Sequence, residues 1–205
     1  MPKSALRCLP VSDAPDATVT VLRGSAARRQ RVIAAAMELA ASGGYDAVQL
    51  REVSARANVA LGTIYRYFTS KDALLSAVSI EWTNELQRRV QRRPLQATSA
   101  TERVVELLRR ATNGMERQPR LSAALVRAMS SVDSTSSGVQ VEAASVIQVL
   151  VEQAVADTGV GLRPGVARTI GFVWFAALVG WVAEWPTVPS PGDEVEAAVR
   201  LLIPE

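Results

Sequence analysis

From Gly62 to Lys71 the chain reads Gly-Thr-Ile-Tyr-Arg-Tyr-Phe-Thr-Ser-Lys. Gly62 has no side chain, so a helix carrying it can approach a duplex closely. Thr63 offers a hydroxyl to a phosphate and a methyl to thymine. Tyr65 and Tyr67 hold hydroxyls at the ends of rigid rings. Lys71 falls where a new helix begins, so its charge and the helix N-terminus can meet one phosphate. Upstream, Arg51 stands at the start of a short helix, positioned to reach a groove. This is a chemistry of hydrogen bonds and ion pairs to a polyanion, with no bond made or broken.

The rest of the composition supports that division. The 205 residues contain no histidine, which removes the commonest general base and zinc ligand. Cys8 is the single cysteine, so neither an intrachain disulfide nor a cysteine metal cluster is available. No catalytic residue, metal ligand or cofactor site is therefore assigned. Net charge is +3 and uneven: residues 1–77 carry ten Lys/Arg against six Asp/Glu, and residues 78–205 carry thirteen against fourteen. A basic module on a near-neutral body suits a polyanionic partner for that module alone. Residues 1–24 contain Pro2, Pro10, Pro15, Asp13 and Asp16 and no continuous apolar stretch, which argues against a signal peptide. The most apolar stretch, Ile170 to Ala183, is 14 residues long, short for a bilayer span, and reads as a buried helix. The expectation is a cytoplasmic protein with no membrane partner.

The elements that must position these residues are all helical. Residues 1–24 read as a flexible arm. Val32, Ile33, Ala36, Met37 and Ala40 share one face of a helix over about 25–42, which Gly43 and Gly44 end. Leu50, Val53 and Ala57 mark a short helix over 50–57, followed by Asn58, a residue that tolerates positive φ. A second short helix runs from near Ala60 to Tyr67. Two short helices across a tight turn, behind a longer support, form a helix-turn-helix. Ser70 is the expected N-cap of a helix reaching Arg92, before Pro94. Further helices are expected at about 100–117, 119–131, 138–157, 164–185 and 193–203, with a Ser-rich break at 133–138 and Pro164 in the first turn of the penultimate one. The fold class is all-α: an N-terminal three-helix helix-turn-helix domain over 25–75, then a helical ligand-binding and dimerisation domain over 76–205.

The stretch Gly62 to Phe68, with Ser70, Lys71 and Leu74, closely resembles the TetR family of transcriptional regulators, and the resemblance is strong over about 25–75. It implies a repressor that binds palindromic double-stranded operator DNA as a homodimer and responds to a ligand. It adds Gln49, Leu61 and Arg66 to Arg51, Gly62, Thr63, Tyr65, Tyr67 and Lys71 as the DNA-contacting set. Two positions depart from the family pattern, which often has Thr where Gln49 stands and Ser where Ala60 stands. Gln49 can still reach phosphate or base, whereas Ala60 cannot cap its helix. The segments VQLREVSARANVALGTIYRYFTSK, LSAALVRAM, VWFAALVGW and AVRLLI are similar to the actinobacterial repressors of steroid catabolism. That resemblance implies a steroid, or its coenzyme A thioester, as effector.

Arg28, Arg29 and Arg31 lie beside the helix-turn-helix, where phosphate or minor-groove contact competes with a solvated face. Arg88, Arg89, Arg92 and Arg93 lie about 30 Å along their helix from Lys71 and read as solvated. In the C-terminal half, Val139, Ala143, Val146, Ile147, Leu150 and Ala154 form one stripe. The helix over 164–185 is apolar on nearly every side and needs partners on nearly every side. The homodimer is accordingly expected through helices at about 138–157 and 164–185. Trp82, Leu86, Leu108, Met115, Leu121, Leu125, Met129, Trp174 and Leu178 are candidate walls of a pocket for an apolar small-molecule effector, although for any single one of them ordinary core is the commoner role. A helical lipid-binding protein without DNA function is the competing class, and the stretch from Gly62 to Lys71 argues against it.

Overall fold

The computed structural model describes residues 17–131, 137–156, 158–188 and 190–203, with side chains from residue 24 on, those of 137–146 excepted. Most of the expected arm, Cys8, most of the Ser-rich break and Pro189 lie outside the described residues. The described residues form nine helices: α1 Ala17–Ala47, α2 Leu50–Ala57, α3 Leu61–Tyr67, α4 Lys71–Arg92, α5 Ala100–Glu116, α6 Pro119–Met129, α7 Ser137–Ala156, α8 Val166–Val182 and α9 Pro191–Leu202. They include no strand, and no helix among them is long and apolar enough to cross a membrane.

Local chemistry sets most boundaries. Gly44 takes φ 72° and ψ −163° and breaks α1 two residues after its expected end at 42. Asn58 sits at φ 50° and ψ 52° and terminates α2. Ser70 and Ser99 cap α4 and α5, their hydroxyls accepting from the backbone N–H of Ala73 at 3.1 Å and Glu102 at 3.2 Å. Pro119 and Pro191 occupy first turns, where a missing N–H is harmless. Two expectations are corrected. Helix α1 begins at Ala17, inside the expected arm, because Pro15 is the last breaker before it. Pro164 precedes α8 instead of opening it, because Gly165 intervenes at φ 85° in the left-handed region.

Two apolar clusters hold the helices together. The first joins α1 (Val32, Ile33, Ala36), α2 (Val53), α3 (Ile64) and the start of α4 (Leu74, Leu75) to Leu121, Ala124, Leu125 and Ala128 of α6. The second joins the far end of α4 to α5, α7, α8 and α9 through Leu86, Leu108, Leu150, Ile170, Trp174 and Val199. The first core is thus completed by a helix from the second half of the chain.

Candidate DNA interface and ligand cavity

The turn between α2 and α3 is closed from within. Ser54 donates its hydroxyl to the Val59 carbonyl at 2.7 Å, and Val59 returns its N–H to the Ser54 carbonyl at 3.2 Å. Val53, Ala57, Val59 and Ile64 are buried, which fixes the pitch of α3 against α1. The outward face of α3 is left free. Tyr65 is 54% exposed, Arg66 and Gly62 are exposed, and Leu61 and Thr63 are half-buried beside them. A Cβ added at Gly62 would meet nothing within 4 Å, so no internal packing demands a glycine there. Glycine in a helix costs about 1 kcal/mol relative to alanine. The seven-residue α3 carries this loss on its exposed face. Gln49 and Arg51 are exposed at the start of α2. Neither Gln49 nor Ala60 makes a side-chain cap hydrogen bond, so the Gln49 amide is free for an external acceptor.

Other expected contacts are already occupied. The Tyr67 hydroxyl lies 2.9 Å from Ser25 Oγ and donates to the Ser25 carbonyl at 3.3 Å. The Ser25 hydroxyl and nearby Arg28 hold its phenol below the usual tyrosine value. Arg31 donates from Nε to the Ala57 carbonyl at 3.2 Å, which ties α1 to the end of α2. The Arg29 guanidinium lies 5.3 Å from the Phe68 ring centre. The Lys71 ammonium stands over the Tyr45 ring, 3.8 Å from its centre, and Arg127 of α6 stands 3.9 Å from the same centre. Burial lowers the Lys71 pKa. Burial and a 2.6 Å hydrogen bond donated to Asp72 push the Tyr45 phenol up to about 12. Sequence reading did not single out Tyr45, because an aromatic after a glycine pair carries no local sign of cations brought from α4 and α6.

A cavity of about 240 Å³ lies under α4, α5, α6, α7 and α8. Of the nine expected wall residues, Trp82, Met115, Leu125, Met129, Trp174 and Leu178 line it together. The other three do not. Leu108 is fully buried in the second core, and Leu121 packs in the first core. Leu86 lines a different hollow between α4 and α5. Each apolar stripe is wider than the sector facing the void, and helix crossing decides which residues reach it. Sequence reading missed Val126, Ile147, Phe172 and Phe175, and the small polar pair Ser79 and Thr83. Both hydroxyls of that pair donate to backbone carbonyls one turn earlier, so the wall is nearly all apolar. The Trp82 and Trp174 rings stack at 6.4 Å and 25°, and Trp174 Nε1 donates to Thr112 at 3.0 Å. Leu125 belongs both to this wall and to the first core.

The comparisons agree with this arrangement. The model described as "Bacterial regulatory proteins, tetR family" matches residues 32–78, and "Tetracyclin repressor-like, C-terminal domain" matches residues 97–202. The chain is 33% identical over 177 residues to the HTH-type transcriptional repressor KstR of Rhodococcus jostii, covering 86% of this chain and 82% of that protein. It is 32% identical over 178 residues to KstR of Mycolicibacterium smegmatis, covering 86% and 87%. A TetR transcriptional regulator from Rhodococcus sp. RHA1 superposes with a TM-score of 0.76 at 27% identity, over 89% of this chain and 98% of its own. FadR of Thermus thermophilus, a TetR-family repressor solved with lauroyl-CoA, superposes at 0.68 with 24% identity over 85% and 92%, a likeness of fold. The exposed α3 face, the apolar cavity behind it and these relatives lead to one conclusion: the chain belongs to the TetR family of bacterial transcriptional regulators, in its KstR-like branch.

Proposed function

We propose that the protein is a cytoplasmic repressor that binds palindromic operator DNA as a homodimer and is released by an apolar effector. The observation that carries this reading is the outward face of α3, with Gly62 open and Tyr65 half in solvent. Such a face has no use in a helical lipid-binding protein lacking DNA function. Residues 25–75 act as the DNA-binding domain, and residues 76–205 bind ligand and dimerise. Gln49, Arg51, Leu61, Gly62, Thr63, Tyr65 and Arg66 meet the groove and its walls, and Lys71 leaves the Tyr45 ring for a phosphate. Tyr67 keeps its bond to Ser25 and supports α3.

The dimer forms through α7 and α8. Phe172 is 59% exposed and Val149 is 42% exposed, large apolar groups that a lone protomer leaves in water. The effector enters the cavity beside Trp82 and Trp174. Its nearly apolar wall suits a steroid or a long acyl thioester, in line with the resemblance to steroid-catabolism repressors and with a fold that holds lauroyl-CoA in the Thermus thermophilus protein. Helix α6 carries the signal. Leu125, Val126 and Met129 line the cavity, while Arg120 donates to the Ser42 carbonyl at 2.6 Å and Arg127 pairs with Asp46 at 3.7 Å. A ligand that moves α6 therefore moves the end of α1 and, through Tyr45, the start of α4.

Selection from a random duplex library, followed by anisotropy titration of the recovered sequence, tests the reading. A two-fold symmetric site is expected, with half-sites about 34 Å apart, bound by one dimer and released by steroid or acyl-CoA. Equal affinity of a monomer for a single half-site would refute it.

A further inference from the structure

The apolar cavity has one polar strip. Ser79 and Thr83 of α4 reach its wall, and no charged side chain among the described residues does. Both hydroxyls are buried. The Ser79 hydroxyl donates to the Leu75 carbonyl at 3.2 Å, and the Thr83 hydroxyl donates to the Ser79 carbonyl at 2.7 Å. A hydroxyl carries one proton and two acceptor lone pairs. Each of these has committed its proton to its own helix and keeps lone pairs with which to accept. The Trp174 indole N–H is spent in the same way, on Thr112 at 3.0 Å.

Ser76 extends the strip one turn toward the start of α4, since residues at i, i+3 and i+7 share one side of a helix. It is 1% exposed, and its Oγ has no hydrogen-bond partner among the described residues. A buried hydroxyl in that state costs more than an alanine of nearly equal size. The strip thus holds unused hydrogen-bonding capacity beside a wall that is otherwise aromatic, aliphatic and thioether, as at Met115, Met129, Phe175 and Leu178. A pure hydrocarbon ligand would leave that capacity idle. A carboxylate would enter with no cation to meet it, at a high cost in an apolar site. A ketone could be bound only by turning a hydroxyl away from its backbone carbonyl. A ligand hydroxyl avoids all of these, because it donates to Ser79 or Thr83 while both existing bonds stay intact.

We infer that Ser79 and Thr83 form a hydroxyl-reading subsite, and that the part of the effector buried in this cavity is a neutral apolar alcohol. This rests on the effector reading above and narrows it. The group set against α4 is a hydrogen-bond donor, whether its skeleton is a rigid ring system or a flexible chain.

Tryptophan-fluorescence titration of the full chain tests it, because Trp82 and Trp174 line the space. The probes are two matched sets: androstanol, androstanone and androstane, and dodecanol, the methyl ketone of equal length and dodecane. The set that binds better tells a rigid effector from a flexible one. Within it, the parent should bind the alcohol about fivefold or more tighter than the ketone and the hydrocarbon, the gain of one net hydrogen bond. In a Ser79→Ala/Thr83→Val variant that ratio should fall to about one. The ratio is internal to each protein, so a change in cavity shape or stability moves all three probes together. The comparison within the parent stands even where the variant does not fold. Equal binding of alcohol and ketone by the parent would overturn the subsite. So would tighter binding of the ketone, which would assign the recognition to a donor such as the Trp82 N–H. An alcohol preference that persists in the variant would overturn the assignment to Ser79 and Thr83. Binding of neither set would overturn the apolar-alcohol class. Operator release by ketone and hydrocarbon as readily as by alcohol would sink the subsite and leave the effector reading standing. Alcohol-selective binding that depends on Ser79 and Thr83, without operator release, would support the subsite and sink the effector reading.

Discussion

Single residues divide between those facing outward and those spent inside the fold. Gly62→Ala separates the two roles. Its new Cβ meets nothing within 4 Å, so melting temperature should hold or rise, by up to about 1 kcal/mol of helix propensity. Operator affinity should fall if the duplex approaches this face as proposed, because the methyl group would stand in its way. A parallel loss of stability and binding would place Gly62 in the fold's packing instead. Lys71 and Tyr65 should differ in kind. Lys71→Ala should weaken binding to every sequence and flatten the salt dependence by about one ion. Tyr65→Ala should act mainly on the preference for operator over random DNA. Titrations of both DNAs at several salt concentrations read this out, and unchanged non-specific binding by Lys71→Ala would disprove the phosphate contact.

At the scale of elements, α6 is the helix that both halves share. Arg120 and Arg127 bind the end of α1, while Leu125, Val126 and Met129 face the cavity. Arg127→Ala should leave ligand affinity in the absence of DNA intact and weaken the coupling between ligand and operator by roughly 0.5–2 kcal/mol. Release curves at saturating ligand measure that directly. Helix α4 carries a second cluster at its far end, where Glu85 holds three arginines. Its carboxyl is lowered from 4.5 to about 2, so its contribution is present above about pH 4.5 and lost as pH falls toward 2. Glu85→Gln should melt lower than the parent near neutral pH and converge with it in acid. These ion pairs are exposed, so the difference should be small and shrink with salt.

For the whole molecule, α8 serves both the cavity and the proposed dimer face, and Phe172 stands at the edge of both. Phe172 is 59% exposed, whereas Leu178 is 2% exposed. Phe172→Glu should give a folded monomer that no longer binds operator, because one half-site cannot hold it. Leu178→Glu should lose the fold itself, since a buried charge without a partner costs several kcal/mol. Sedimentation and circular dichroism distinguish the two, and a dimeric Phe172→Glu protein would remove α8 from the interface. Ligand and operator must also oppose each other symmetrically. Operator DNA should weaken effector binding by the same factor by which effector weakens operator binding. A hundredfold preference for the DNA-incompetent state corresponds to about 2.7 kcal/mol.

What the sequence by itself determined was what neighbours along the chain decide. Asn58 and Ser70 announced a turn and a cap, and both hold those places, because positive φ and capping need only the adjacent backbone. The stretch from Gly62 to Lys71 identified the helix-turn-helix, since its period and turn lie within about thirty residues. Only the tertiary structure decided where long-range packing spent each side chain. It committed Arg31 to the Ala57 carbonyl and Tyr67 to Ser25, and set Lys71 and Arg127 on Tyr45. It put Leu108 and Leu121 into cores while Met115 and Leu125 reached the cavity. An apolar stripe states that a helix face is buried. Which part of that face meets a void is set by how helices distant in sequence cross.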